Sequence, residues 1–455
     1  LGFCPSFRYN INMSRHQVVI IGGGFGGLCA ARALSAKDVA LTLIDKRNFH
    51  LFQPLLYQVA TGLLSPAEIT TPLRHILKKQ KNAEVLLAEA VDFDPASRRV
   101  ILADGEVTYD TLIVGAGMVN AYYGHEDWQA FAPGLKTMED ASTIRQKIFY
   151  AFEVAERERD PALKQSWLTF TVIGSGSTGI ELAGMIAEIC RNTLKGEFRT
   201  IRPEDARVVL IEAADRILPG YPPDLSMKAT RALDGLGVRT LTGARVVNIG
   251  PEGLEYAHGG GTHILPARTI LWATGVQASP LASTLAEKTG APTDRQGRLM
   301  VRPDLSIEGH PEIFVIGDMA HVKDKAGRPL PGLAPAATQQ GRYVARLIMR
   351  RLAGSREARP FAYFDKGTLS VIGRHQAVAD IGHWHFSGFF AWLLWLFIHL
   401  ILLINFENRL IVLTRWAFQY FVFSRGGRQL CHEGTLKLPI SGGGATEDFP
   451  PAPHC

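Results

Sequence analysis

The 455-residue chain is poor in cysteine. Cys4, Cys29, Cys190, Cys431 and Cys455 are all it has, and no two form a C-x-x-C or other close pairing. That argues against a disulfide framework and a structural zinc site, and it removes a redox-active cysteine pair. His383, His385 and His399 have no acidic or cysteine partner at ligand spacing, so no metal is expected. There is no block of Lys or Arg; a formal charge of +6 without a basic stretch excludes an obvious nucleic-acid footprint. A cleavable secretory signal is missing too, because Leu1–Asn12 has no positive segment leading into an apolar one. Met13-Ser14-Arg15 stands directly before the first apolar run, a spacing that suggests Met13 as the true start. Long apolar runs are too few for a proton channel. What remains, 46% hydrophobic and 20% charged residues, is the composition of a globular chain of two to four domains.

The strongest positive signal is Val18–Leu34. An apolar run, Val18–Ile21, enters Gly22-Gly23-Gly24-Phe25-Gly26-Gly27, and alanine-rich helix formers follow. Such a run reads as a buried parallel strand. Glycines at 22, 24 and 27 allow a tight turn and let a pyrophosphate approach the free N–H groups of a helix start. A second run, Val39–Ile44, ends at Asp45, placed to accept from a ribose hydroxyl. The next stretch, Lys46–Leu64, has poor periodicity and many aromatics: a packed loop or short helix over a flat ligand, or an ordinary core loop. Glu84–Asp94 and Arg99–Leu102 alternate like strands around a turn at Asp94–Ser97, and Tyr109–Gly117 is an apolar run ending in small residues.

The pattern then recurs. Helical periodicity over Gly134–Glu158 precedes Leu168–Ile173, which runs into Gly174-Ser175-Gly176-Ser177-Thr178-Gly179 and a helix. A second strand, Arg207–Ile211, ends at Glu212; the polar stretch Arg191–Ala206 accounts for the long spacing. Two complete fingerprints imply two dinucleotides. A carboxylate at Glu212 favours NADH over NADPH, with Arg216 nearby able to soften that preference. Glu181, in the first turn after the second fingerprint, is either a helix-dipole carboxylate or a residue facing the nicotinamide–flavin region. Leu271–Gly275 echoes Leu112–Gly117, and Ile313–Asp318 is a further strand ending in Gly-Asp.

Two Rossmann units, each followed by a strand of ATG type, and a late strand ending in Gly-Asp resemble the glutathione-reductase-like flavoproteins. Within them, FQPLLYQVATG, GSGSTGIELAG, VIGD, APAATQQG and DKGTLSVIGR resemble the type II NADH:quinone oxidoreductases, single-subunit dehydrogenases that do not pump protons. The likeness runs from Val18 to about Phe423. It implies an α/β fold with an FAD domain (13–124 and 294–385) split around an NAD domain (125–293), then membrane-anchoring helices (386–435) and a flexible tail (436–455). It also implies hydride transfer from NADH to FAD and two-electron reduction of a membrane quinone, whether ubiquinone, menaquinone or plastoquinone. Asp318 would contact the ribityl–phosphate region of FAD, Glu181 and Lys366 would lie near flavin and quinone, and Gln339 near the quinone. The plain alternative for Lys366 is a surface lysine. The family's A-Q-x-A-x-Q has Pro335 here for its first Gln. A non-quinone acceptor such as a small iron–sulfur protein, or a non-catalytic sensor, is the alternative.

Phe389–Ile404 is apolar except for His399, and at 1.5 Å per residue it would be about 24 Å long, short of the roughly 30 Å hydrocarbon core. In Asn405–Phe423 the residues Asn405, Asn408, Arg409, Arg415 and Gln419 share one arc, into which Val412, Trp416 and Phe423 intrude. Trp392, Trp395, Trp416 and Tyr420 suit a headgroup interface, and Arg409, Arg415, Arg425 and Arg428 suit anionic lipid. A surface anchor, a marginal span and a helix buried in a homodimer are the three readings. The resemblance implies the first, a monotopic protein on the cytoplasmic face of an inner or plasma membrane.

Overall fold

The apolar runs become strands and the segments after the glycines become helices. β1 (His16–Ile21) leads into α1 (Phe25–Ala33), and then come β2 (Val39–Asp45), α2 (Leu56–Ala60), β3 (Ala83–Leu87), β4 (Thr111–Val114) and α3 (Met138–Arg157). Further on lie β5 (Thr169–Ile173), α4 (Ser177–Glu188), β6 (Arg207–Ile211), α5 (Pro223–Gly235), β7 (Val238–Leu241), β8 (Thr269–Trp272), β9 (His310–Val315) and α6 (Ala334–Leu352). The last elements used below are β10 (Thr368–Gly373), β11 (Gln376–Ile381), β12 (Trp384–Gly388), α7 (Phe389–Leu402) and α8 (Phe406–Val422). This computed structural model describes residues 7–8, 15–36, 38–324, 327–355, 359–422 and 427–430. The suggested start at Met13, the expected tail 436–455, Arg425, and the side chains of Gln419, Tyr420 and Phe423 lie outside the described residues.

Two compact units form, one from within Leu1–Leu51, Thr70–Val119 and Val276–Lys366, the other from within Phe52–Ile69, Asn120–Gly275 and Gly367–Cys455. These boundaries differ from those read in the sequence. Phe52–Ile69 goes with the second unit because every residue of α2 is buried there, and the hairpin strands β10–β12 go with it as well.

In the first unit the order β9-β4-β1-β2-β3 is parallel throughout, with a short antiparallel strand, Ser306–Ile307, at one edge. Val114 lies opposite both Ile21 and Val315, and Ile21 opposite Ile44, so four strands finish at one edge. Strands covered on both faces need side chains apolar on both, hence the unbroken run of buried residues Val18–Ile21. α1 lies directly against α6: a Cβ on Gly341 would sit 2.1 Å from the Gly26 carbonyl oxygen.

The second unit repeats the plan as a parallel sheet, β7-β6-β5-β8, in which Ile173 faces Ile211 and Trp272. α3 starts at a capping box in which the Thr137 hydroxyl accepts from the Asp140 N–H and Asp140 accepts from the Thr137 N–H. The antiparallel meander β10-β11-β12 packs on α4. The contact is between backbones, since a Cβ on Gly184 would lie 1.6 Å from the Ile372 carbonyl oxygen. Among the described residues no helix is long and apolar enough to cross a membrane. α7 is 14 residues, about 21 Å, and the chain breaks at Leu403–Asn405 before α8.

Candidate cofactor and substrate sites

Each fingerprint uses its three glycines for three different purposes. Gly22 has φ +99° and Gly174 φ +96°, a left-handed backbone that a side chain strains. A Cβ at Gly22 would also stand 2.4 Å from the Gly115 carbonyl oxygen, and one at Gly174 2.5 Å from the Thr274 Cβ. The third glycines close the turn: a Cβ on Gly27 would be 1.9 Å from the Gly22 oxygen, and one on Gly179 1.8 Å from the Gly174 oxygen. The middle glycines differ. Among the described residues, no atom beyond the adjoining chain lies within 4 Å of a Cβ built on Gly24 or Gly176. The fold therefore does not need glycine there. A group brought close to the helix start, such as a pyrophosphate, does.

The acids after the second strands lock these turns. The Gly23 N–H donates to Asp45 at 2.6 Å and the Arg47 N–H to its other oxygen at 2.7 Å. Burial raises the Asp45 pKa, and those two N–H bonds oppose the shift. Glu212 repeats the arrangement, accepting from the Ser175 N–H (2.9 Å), the Ser175 hydroxyl (2.5 Å) and the Ala214 N–H (2.8 Å). A carboxylate offers about four lone-pair positions, so both acids keep capacity for a ribose hydroxyl. Asp318 follows β9 in a turn beginning at Gly317 (φ +70°), and the Ala116 N–H reaches the Met319 sulfur at 3.0 Å across the same edge. Gly22, Gly24, Gly27, Asp45 and Asp318 thus gather at the carboxyl edge of the first sheet. Gly174, Gly176, Gly179 and Glu212 gather at that of the second.

Arg216 is engaged by its own loop. Its guanidinium donates to the carbonyls of Leu218 (3.2 Å), Pro219 (2.8 Å) and Tyr221 (2.8 Å), holding a loop in which Leu218 has φ +47°.

Glu181 is 8% exposed on α4, and burial pushes its pKa well above the usual carboxylate range, opposed by a bond from the Val371 N–H. α4 turns this face onto β10, so Glu181 is enclosed one turn into the helix. Sequence reasoning missed the neighbours that the seam supplies. The Ser370 hydroxyl donates to Ser177 Oγ at 2.5 Å, and the Tyr221 hydroxyl lies 2.8 Å from Ser370 Oγ. The spacing 177, 181, 184 was the available signal, a single helix face starting at the fingerprint.

The motif Ala334–Gly341 lies on α6. Pro335 occupies its first turn, where the missing N–H costs nothing. Gln339 donates its side-chain N–H to the Phe364 carbonyl and accepts from the Phe364 N–H, both at 2.9 Å. Its neighbour Gln340, 2% exposed, accepts from the Gly317 N–H at 2.5 Å. Lys366, two residues after Phe364, is exposed.

Several polar and aromatic residues of the C-terminal helices contact the protein. In α8 the polar arc faces the protein: Asn408 is 8% exposed with its amide directed to the Ala67 carbonyl, Val412 is fully buried, and Arg415 pairs with Glu68 at 3.2 Å. Glu68 is buried and takes Arg415 as its cation, whose side chain remains 52% exposed. Arg409 donates to the Leu403 carbonyl at the helix break, and Arg428 pairs with Glu197 at the surface. The tryptophans also turn inward. Trp416 donates to Gln58 at 2.8 Å, and buried Trp395 stacks on His399 at 4.3 Å. With Trp392, Tyr57, Met185 and Arg374 they line a cavity in the second unit. Outward go Phe390, Leu393, Phe397 and Ile401 of α7, and Phe406, Leu410 and Leu413 of α8.

Comparison with known proteins agrees with this geometry. The family model described as pyridine nucleotide-disulphide oxidoreductase matches residues 16–341, and that described as NDH2 C-terminal domain matches 366–426. The chain is 44% identical over 421 residues to the type II NADH:quinone oxidoreductase NdhA of Mycobacterium tuberculosis, covering 90% of this chain and 88% of that protein. It is 45% identical over 419 residues to Ndh of the same organism, covering 90% and 89%. Among solved structures, NDH2 from Plasmodium falciparum in complex with NADH superposes with a TM-score of 0.82 at 20% identity, over 91% of this chain and 99% of that one.

Proposed function

The chain belongs to the type II NADH:quinone oxidoreductases, and on that premise we propose how its residues divide the work of oxidising NADH and reducing a quinone. The observation that carries the reading is the repeated turn, Gly22–Gly27 locked by Asp45 and Gly174–Gly179 locked by Glu212, each at the carboxyl edge of a parallel sheet. Gly22, Gly24, Gly27, Asp45 and Asp318 hold FAD; Gly174, Gly176, Gly179 and Glu212 hold NADH. When bound, FAD supplies the redox chemistry, taking two electrons from NADH and passing them to the quinone. The protein binds, orients and excludes water. Glu212 accepts from the 2′-hydroxyl of NADH and repels a 2′-phosphate, and Arg216, tied to its own loop, does not offset that repulsion. Glu181 holds a proton on the quinone side, and Gln339 fixes the Phe364 backbone and so the approach of Lys366.

The outward apolar stripes of α7 and α8 support a membrane surface as their neighbour, with the tryptophan-lined cavity beneath them receiving the quinone from the lipid side. A second copy of the chain on the same stripes, giving a homodimer, is the competing occupant. Anaerobic mixing tests the function: NADH should bleach a bound flavin, and a ubiquinone or menaquinone analogue should restore its colour. A flavin that NADH leaves oxidised, or that no quinone reoxidises, overturns the reading.

A further inference from the structure

Quinone reduction requires a proton that NADH does not bring. The balance is NADH + H⁺ + quinone → NAD⁺ + quinol: the hydride equivalent delivers two electrons and one proton, and the quinol needs a second proton from solvent. The group placed to hold that proton, Glu181, is enclosed, with the Val371 N–H on its carboxyl. A solvent proton reaches it only along other polar atoms.

One line of polar atoms leads there. Tyr221 lies beside the exposed Pro219 and Gly220, and its hydroxyl is 2.8 Å from Ser370 Oγ. Ser370, with no exposed surface, donates on to Ser177 Oγ at 2.5 Å. Ser177 opens α4, and Glu181 follows one turn later, about 6 Å along the axis. Residues four apart share a helix face, which makes Ser177 and Glu181 neighbours on α4. Tyr221 also feels the Glu181 charge. On the other side of Glu181 the same face continues to Met185 and Glu188, which line the tryptophan cavity. Three hydroxyls, from a loop, a strand and a helix, meet in this seam.

We propose that Tyr221, Ser370 and Ser177 form a hydroxyl relay that carries a solvent proton from the Pro219–Tyr221 loop to Glu181 and so to the quinone. The proposal rests on the quinone-reductase reading above. Hydroxyls suit this role because each donates and accepts at once, so every proton passed in is matched by one passed on and no charge is stranded in the seam. Tyr221 and Ser370 act through Glu181 and are positioning residues.

The test compares wild type with Tyr221→Phe, Ser370→Ala and Ser370→Thr, using NADH with either a water-soluble quinone or ferricyanide, which takes single electrons and no proton. Tyr221→Phe and Ser370→Ala should slow quinone reduction by about tenfold to a hundredfold and enlarge its solvent deuterium isotope effect, with ferricyanide reduction near the wild-type rate. Ser370→Thr, which keeps the hydroxyl, should restore quinone reduction. A second readout needs no substrate. The infrared carboxyl band of Glu181, identified by its loss in Glu181→Gln, should exchange in D₂O more slowly in Tyr221→Phe and Ser370→Ala than in wild type. Equal exchange rates overturn the relay, as does a parallel fall of both acceptor activities, which would mark the seam as structural only. A wild-type enzyme that reduces ferricyanide but no quinone overturns the functional reading instead, and the infrared comparison still decides the relay.

Discussion

Replacing the middle and third glycines of the second fingerprint separates ligand binding from folding. In Gly179→Ala the new Cβ would stand 1.8 Å from the Gly174 carbonyl oxygen. Reaching ordinary contact near 3.4 Å requires about 1.6 Å of movement between the strand end and the helix, both held by backbone. Overpacking of this kind costs about 1–3 kcal/mol, and more when backbone must shift, against a helix-propensity gain of at most about 1 kcal/mol. Gly179→Ala should therefore lose about 2 kcal/mol or more of stability. In Gly176→Ala the Cβ meets no protein atom within 4 Å, and the backbone there, φ −64° and ψ 179°, suits alanine. Its stability should stay within about 0.5 kcal/mol of wild type. Its cost should fall on NADH, where displacing a closely held pyrophosphate by a methyl costs about 1–3 kcal/mol, roughly 5- to 150-fold in apparent affinity. The assays are urea denaturation of the purified protein and the NADH dependence of ferricyanide reduction. Unchanged NADH affinity in Gly176→Ala, or wild-type stability in Gly179→Ala, would falsify the division of roles.

Gly184→Ala should cost about 2 kcal/mol or more, because its Cβ would lie 1.6 Å from the Ile372 carbonyl oxygen; a melting curve that matches wild type refutes the backbone contact. Arg216→Ala should loosen the Leu218–Tyr221 loop by about 1.5–3 kcal/mol, the worth of a hydrogen bond to a charged group, without altering the preference for NADH; a shift in the NADPH to NADH rate ratio would show that the side chain does reach the nucleotide. Burial, opposed by its bond to the Trp395 carbonyl, lowers the His399 pKa to about 4 from the ordinary 6.5, so the unfolded chain binds the extra proton between those values. Stability should fall as pH drops from about 6.5 through 4, by at most about 3 kcal/mol, and His399→Phe should flatten that part of the curve in urea titrations at several pH values. Paired Phe390→Ser and Phe397→Ser should reduce co-sedimentation with lipid vesicles without changing ferricyanide reduction, since each ring on the outward face is worth about 1.5–3 kcal/mol when buried; unchanged sedimentation argues for a homodimer surface.

The fingerprints were legible because their chemistry is local. A buried parallel strand must be apolar on both faces, a left-handed turn needs glycine, and the acid that locks the turn ends the neighbouring strand; all three appear within one short stretch. The parts that could not be read depend on contacts distant in sequence. Val412 and Trp416 looked like flaws in the polar arc of α8. They are consistent once that arc faces the protein, where Glu68 takes Arg415 and Gln58 takes the indole N–H. Periodicity shows that a helix has two faces but not which one points inward, and an apolar face turned outward reverses the usual assumption. Gln339 and Gln340 posed the same difficulty: adjacent in sequence, one grips Phe364 and the other Gly317, and only the placement of β9 and the 364 loop beside α6 distinguishes them. Tyr221 gave no signal, since a tyrosine after Pro219-Gly220 reads as a loop residue.

The seam at Gly184 ties the two halves of the reaction to one element. α4 is 12 residues, about 18 Å long, with the second glycine fingerprint at its start, Glu181 one turn in, and Met185 and Glu188 at the cavity. A rigid helix of that length fixes the distance between them, and the Ile372 carbonyl under Gly184 fixes its height above β10. Lifting the far part of α4 pulls Glu181 from the Val371 N–H, while the helix start stays anchored through Ser175 and Glu212 at the end of β6. A Gly184→Ala enzyme should therefore bind NADH and reduce ferricyanide at rates close to wild type in the temperature range where it stays folded, and lose quinone reduction selectively. Proportional loss of both activities would mean that α4 does not tilt about its anchored start, and that the seam supports the fold without setting the position of Glu181.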